Sequence, residues 1–299
     1  VQNTFGNQGE PDFKHAYFTS LKDAMAAAKD GWTVKLLDDV PLTYDTHLYS
    51  TTAATAEDMV VTLELNGHTI TKSGWASFIL GQGVYDYNKP WAQEKGPFTL
   101  AIRGSGNVEP DIQVNVRASL DLSGWTGGTF GMIEMSDNSN YEAEIREPAL
   151  TVGKNAGTIA YLSYGNNQLG ELKKNKLSGG KYNKIWVSDH GWVRFGDLLA
   201  EGFAFQNADG SYLDYAPKRQ NTTLYNLTVV PCTTHEDNKG VDSNGELTNT
   251  PDKLCDYCNT DLSSGMVASL TTGGKTYYYT DLPSAVAKAN TTGGIVTLL

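Results

Sequence analysis

All three cysteines of this 299-residue chain fall in one stretch, where Cys232-x-x-His235 is followed after nineteen residues by Cys255-x-x-Cys258. Two such knuckles offer three thiolates and an imidazole, a donor set that completes a tetrahedral shell around zinc. The segment between them, EDNKGVDSNGELTNTPDKL, is polar and turn-rich and has little apolar material to fold around. Four protein ligands leave no position for water, so the expected ion is structural, not catalytic. The alternative is one disulfide, most simply between Cys232 and one of the Cys255/Cys258 pair, with a leftover thiol. An odd cysteine count disfavours that arrangement in an exported chain.

No residue is assigned a catalytic role. Glycoside hydrolysis needs two carboxylates placed around the scissile bond. The segment Ser188-Asp189-His190-Gly191-Trp192-Val193-Arg194 combines an acid, an imidazole and a base, but the adjacent acidic pair, Asp38-Asp39, lies far away in the chain. Asn259-Thr260-Asp261 sits beyond the cysteine knuckles, and His15, His47 and His68 have no partners in sequence. Recognition is easier to place. Gly-Trp recurs at Gly31-Trp32, Gly74-Trp75, Gly124-Trp125 and Gly191-Trp192, and residues 77–97 read SFILGQGVYDYNKPWAQEKGP. Exposed Trp and Tyr present apolar area with a polar tip. Tyr85, Tyr87 and Trp91, with Trp75 and Trp125, are therefore the candidate ligand-binding residues, against the competing role of rings packed in the interior.

The elements that must hold these residues are β-rich. Charged residues make up 19 % of the chain, while Gly, Thr, Asn, Ser and Tyr are abundant, a mix suited to short strands and many turns. A net charge of −11 argues against nucleic acid as a partner, because phosphates call for a basic surface. No apolar run reaches the roughly 18 to 20 residues that span a bilayer.

The chain also repeats itself. YFTSLKDAMAAAKDGWTVKLL (17–37) returns as YYTDLPSAVAKANTTGGIVTLL (278–299), with Tyr17, Thr19, Leu21, Ala24, Ala26, Ala28, Gly31, Val34, Leu36 and Leu37 matched once one residue is inserted after Thr291. Ser20 and Asp23 have capping-box spacing, Leu21, Ala24, Met25 and Ala28 share a helical face, Gly31 is a suitable stop, and TVKLL is a strand. A short amphipathic helix followed by a strand is expected to cap a stack of strands whose end would otherwise lie bare. The boundaries that follow are a capped module over 1–230, a zinc-ribbon-like linker over 231–262, and the truncated start of a second copy over 263–299.

Between the copies, LELNGHTI, AIRGSGNV, GGTFGMIEM, LSGGKYNKIWV, LLAEGFAFQNADG and LYNLTVV restart strands behind glycine turns. The first four resemble rungs of the right-handed parallel β-helix in large exported proteins of gut Firmicutes, and LLAEGFAFQNADG followed by LYNLTVV is similar to the closing part of such modules. The fold expected is therefore all-β: a parallel β-helix with an N-terminal capping α-helix, of about eight coils at roughly 20 to 25 residues each, with a β-sandwich as the alternative. The resemblance implies a monomeric unit of a tandem array at the bacterial cell surface, outside the cell. It would be a non-catalytic, adhesin-like module for a host protein or glycoprotein, with the immunoglobulin-binding superantigens among its relatives. β-Helix lyases and hydrolases are the competing class, faintly echoed by Asp189, His190 and Arg194, and a passive spacer is a third reading.

Overall fold

The computed structural model describes residues 2–5, 14–48, 59–81, 97–115, 117–135, 148–164, 175–187, 193–215, 218–219, 221–241, 247–262 and 264–299. Strand formation follows from a period of two. In Met59–Glu64, Met59, Val61 and Leu63 are buried while Val60, Thr62 and Glu64 reach the surface. The same alternation runs through Ser77–Leu80 and Asp111–Val114.

The fold is mostly β, with parallel strands gathered in two main sheets. In the first sheet Thr33–Lys35, Met59–Glu64, Phe98–Gly104, Ala118–Trp125, Ala149–Val152 and Lys176–Leu177 follow one another in parallel. The second has the parallel run Val40–Leu42, Thr69–Lys72, Asn107–Val108, Thr129–Met135, Thr158–Tyr164 and Lys181–Val187. The short strands Thr46–Leu48, Ser77–Leu80 and Asp111–Val114 stack beside it and meet the second half of Thr129–Met135. Within each sheet the parallel strands thus stack in chain order, one layer on the last. Six layers of the first sheet are described instead of about eight. The reason is that connections leaving Leu48, Leu80, Met135 and Tyr164 are long and use up residues. Those strand ends are stacked along one edge.

Register puts like side chains over one another. Phe78, Ile112, Ile133, Leu162 and Ile185 form one buried row, and Val40, Ile70, Val108, Phe130, Ile159 and Tyr182 form another. Trp125, expected above as a binding residue, is fully buried in this core. Its indole Nε1 donates to the Gly106 carbonyl at 3.1 Å and its ring meets Phe130 edge-on. A register shift between Asp121 and Gly124 explains why: it moves the alternation of the strand by one residue and turns Trp125 onto the buried face.

Both ends of the stack are closed by antiparallel structure. At the far end Thr222–Pro231 pairs antiparallel with Lys181–Val187 and with Phe203–Gln206. At the near end the helix Leu21–Ala27 covers the core. Ser20 caps it by accepting the Asp23 N–H at 3.1 Å, and Leu21, Ala24 and Met25 are buried. The helix stops at Ala27, four residues short of Gly31, because Ala28 turns extended and buries itself; Gly31, at φ +73°, shapes the entry into the strand instead.

The repeat is larger than its sequence signature. A hairpin precedes each helix: Gln2–Phe5 with Lys14–Tyr17, and Ala268–Thr272 with Lys275–Tyr279. In both copies the first hairpin strand also pairs antiparallel with the strand after the helix, Thr33–Lys35 or Ile295–Leu298. The second copy is thus a hairpin, a helix (Leu282–Thr292) and a strand, not a helix and strand alone.

Gly128, at φ +106°, sits where a Cβ would collide with the Gly106 carbonyl in the layer below. Gly128→Ala is expected to cost about 3 kcal/mol, from left-handed backbone strain and overpacking together. Urea denaturation should report it as a lowered midpoint with an unchanged slope.

Candidate metal centre

Cys232 closes the strand Thr222–Pro231, and His235 lies three residues on, at the start of the short strand His235–Glu236. Cys255 and Cys258 flank a tight turn in which the Asn259 N–H donates to the Cys255 carbonyl at 2.9 Å and Asn259 takes φ 58°. The chain therefore brings the two knuckles face to face. Cys232 Sγ lies 3.9 Å from Cys255 Sγ and 3.9 Å from His235 Nδ1, and Cys258 Sγ lies 3.6 Å from His235 Nδ1. All four ligand atoms fall within 4.8 Å of one another, and the three cysteines are buried.

This set can hold a metal ion. Two thiolates at about 2.3 Å from a tetrahedral ion stand about 3.8 Å apart, close to the spacing of Cys232 and Cys255. The four groups also couple electrostatically. Cys255 and Cys258 drive the Cys232 thiol upward, while Cys232, Cys255 and His235 drive the Cys258 thiol downward. His235 is pushed up to about 10 by Cys255 and Cys258. Neighbouring thiols thus hold Cys232 neutral and Cys258 charged, and a divalent cation bound there would keep its thiol ligands deprotonated. A soft sulfur-rich set with one imidazole is compatible with structural zinc.

Around the ligands, polar groups do the work that a hydrophobic core does elsewhere. Asp256 accepts the N–H groups of Asn238 and Lys239 at 3.1 and 3.2 Å, and burial pushes it up to about 6. Asp237 accepts from Asp252 and Lys253, and the Glu236 carboxylate meets Asn238 and Lys275. The apolar contribution is small: Ala204, the three cysteines and Leu262, with Tyr212, Tyr257, Met266 and Tyr278 packed against them. Ala204 and Tyr212 belong to the closing end of the stack, while Met266 and Tyr278 belong to the second hairpin and its approach. His235–Glu236 pairs antiparallel with Tyr277 and Tyr278. The centre therefore sits between the stack and the second cap and touches both.

The remaining sequence candidates scatter. Tyr85, Tyr87 and Trp91 lie outside the described residues, as do Asp189 and His190. Trp75 is 94 % exposed in the turn before Ser77–Leu80, and Trp125 is interior. Asp38 and Asp39 shape a turn: Asp38 accepts the Asp39 N–H, and Asp39 accepts the Thr69 N–H and lies 3.5 Å from His68. Sequence reading missed an outward row on the second sheet. Lys184 Nζ stands 4.2 Å over the Tyr161 ring, Tyr225 pairs with Lys184 across the antiparallel joint, and Trp186 is two residues further along the same strand. Alternation in KYNKIWV marks which residues point outward, but which of them become neighbours depends on a register between distant segments.

No protein-family model, curated protein or solved structure matches the chain.

Replacing one ligand should disable the centre. Cys255→Ser is expected to weaken zinc binding by more than about 100-fold, since outer-shell changes alone cost about 10- to 100-fold. Competition with a chromogenic chelator measures it, and wild-type chain should take up one ion.

Proposed function

We propose that the chain is a non-catalytic binding module, one unit of a tandem array at the bacterial cell surface. In this reading the parallel layers form a right-handed parallel β-helix, and a zinc-held linker over residues 231–262 joins one unit to the next. Right-handed crossovers are the general rule for parallel strands, which supports the hand. Return of the hairpin–helix–strand cap beyond the knuckles supports the tandem arrangement. Zinc is the ion suggested by three thiols, one imidazole and a closed four-ligand shell.

The observation that carries the binding role is the outward row of Tyr161, Lys184, Trp186 and Tyr225. Tyr225 is 62 % exposed, and the layers beneath fix the row's spacing at about 4.8 Å per strand. Aromatic rings beside a cation on a rigid, nearly flat face suit a glycan or a glycoprotein surface, by ring stacking and hydrogen bonding together. A host glycoprotein outside the cell is the partner proposed, with immunoglobulin the candidate that the Firmicutes resemblance names. Trp75 and the segment carrying Tyr85, Tyr87 and Trp91 are proposed as further contacts. Repetition would multiply weak sites into avidity.

Immobilised chain should capture an immunoglobulin-containing fraction from serum or mucus, identified by mass spectrometry. Tyr161→Ala and Tyr225→Ala should each lower capture about 10-fold, the effect of losing about 1.4 kcal/mol at a contact. Failure to recover any host protein would contradict the binding role and leave the spacer reading.

A further inference from the structure

The two caps are folded alike but covered differently. Ala24 and its counterpart Ala285 are both fully buried, although the second helix packs on its own hairpin and the first packs on Val40–Leu42 and Thr46–Leu48. The positions that in the first copy face the opening layer tell another story. Leu21 is 1 % exposed and Leu282 38 %, Met25 is 4 % and Val286 42 %, and Leu36 is 0 % while Leu298 is 69 %. In the first copy this face is covered by the helix's packing on Val40–Leu42 and Thr46–Leu48 and by the parallel strand Met59–Glu64.

The backbone repeats the pattern. Leu36 donates its N–H to Glu64 at 2.9 Å, and Trp32 accepts from Thr62 at 2.9 Å. In the second copy Leu299 donates inward to Val267 at 3.0 Å, so the N–H of Leu298, the counterpart of Leu36, points to the opposite edge. That edge of Ile295–Leu298 carries no strand among the described residues.

We infer that the open face of the second cap, formed by Leu282, Val286, Leu298 and the outer edge of Ile295–Leu298, is a docking surface for a parallel β-coil. Its occupant has the chemistry of residues 40–64: an aliphatic two-part turn that covers the helix, then a strand of alternating aliphatics that accepts the Leu298 N–H. The first coil of a following module is that occupant, because the same chain displays the filled joint at its other end. The inference rests on the tandem reading above and on none of the ligand-binding argument.

The test extends the full chain: residues 1–299 followed directly by a second copy of residues 38–299. Hydrogen exchange should slow at the Leu298 amide by about 100-fold relative to the 299-residue chain. Leu298→Asp should be neutral in the 299-residue chain, where the side chain faces water, and should lower the thermal midpoint of the added module in the extended chain. Leu36→Asp, at the filled joint, should destabilise both. Equal exchange of Leu298 in the two chains, or a neutral Leu298→Asp in the extended chain, would overturn the inference. So would an added module that stays unfolded behind an intact first one. Dimerisation of the 299-residue chain that Leu298→Asp abolishes would assign the face to a second copy instead. Capture of host protein plays no part in these readouts, so the binding role and the joint fail separately.

Discussion

A stack of parallel layers buries its side chains only against the layers above and below, and this constraint governs the rest of the molecule. Rows such as Phe78, Ile112, Ile133, Leu162 and Ile185 stay dry because each ring or aliphatic branch lies over another of similar size. A row has two ends, and each end would expose both apolar surface and an unpaired strand edge. The chain answers at one end with a helix laid over Val40–Leu42 and Thr46–Leu48 and at the other with an antiparallel strand. Tyr182 and Phe205 fill the last layer there, their rings meeting edge-on at 6.1 Å. Gly106, Gly128 and Gly157 are a consequence of the same geometry, since at each a Cβ would meet a backbone carbonyl of the neighbouring layer.

Beyond the stack the physical basis of folding changes. Among the described residues, the segment from Cys232 to Leu262 has four buried apolar residues in its cluster, counting the cysteines. Its loops are instead tied by buried carboxylates that accept backbone N–H groups and by the four convergent ligand atoms. Metal-ligand bonds can supply folding free energy outright where a core is lacking. Because the four ligand residues pack with Ala204 of the stack and with Tyr278 of the second cap, an ion held there would clamp the two together. An interior four-ligand centre at a joint suits a structural role, and the outward row of half-buried Tyr161, Lys184 and Trp186 with exposed Tyr225 lies elsewhere, on the layers themselves.

Much of this was legible in the residues. Ser20 and Asp23 marked the helix start, period two marked Met59–Glu64, and the Cys-x-x-His and Cys-x-x-Cys knuckles marked the metal ligands, because each signal is local. The hairpins before the two helices were not legible, since QNTF and ASLTT share too little to register as a repeat and pairing carries no local signature. Trp125 was misread for a related reason: the register shift between Asp121 and Gly124 that turns the ring inward arises in the pairing with a neighbouring strand and carries no local signature. The row of Tyr161, Lys184 and Tyr225 is likewise a product of register, which sequence spacing does not determine when connections differ in length.

The most direct test of this account compares hydrogen exchange along the whole chain before and after a chelator strips the metal-loaded protein. A parallel stack closed at both ends, with a second cap held on by the ion, predicts a divided response. Amides from residue 235 to 299 should lose protection, while those of the layers between Met59 and Val187 keep theirs. Unchanged protection throughout, or loss that spreads through the layers as well, would contradict it.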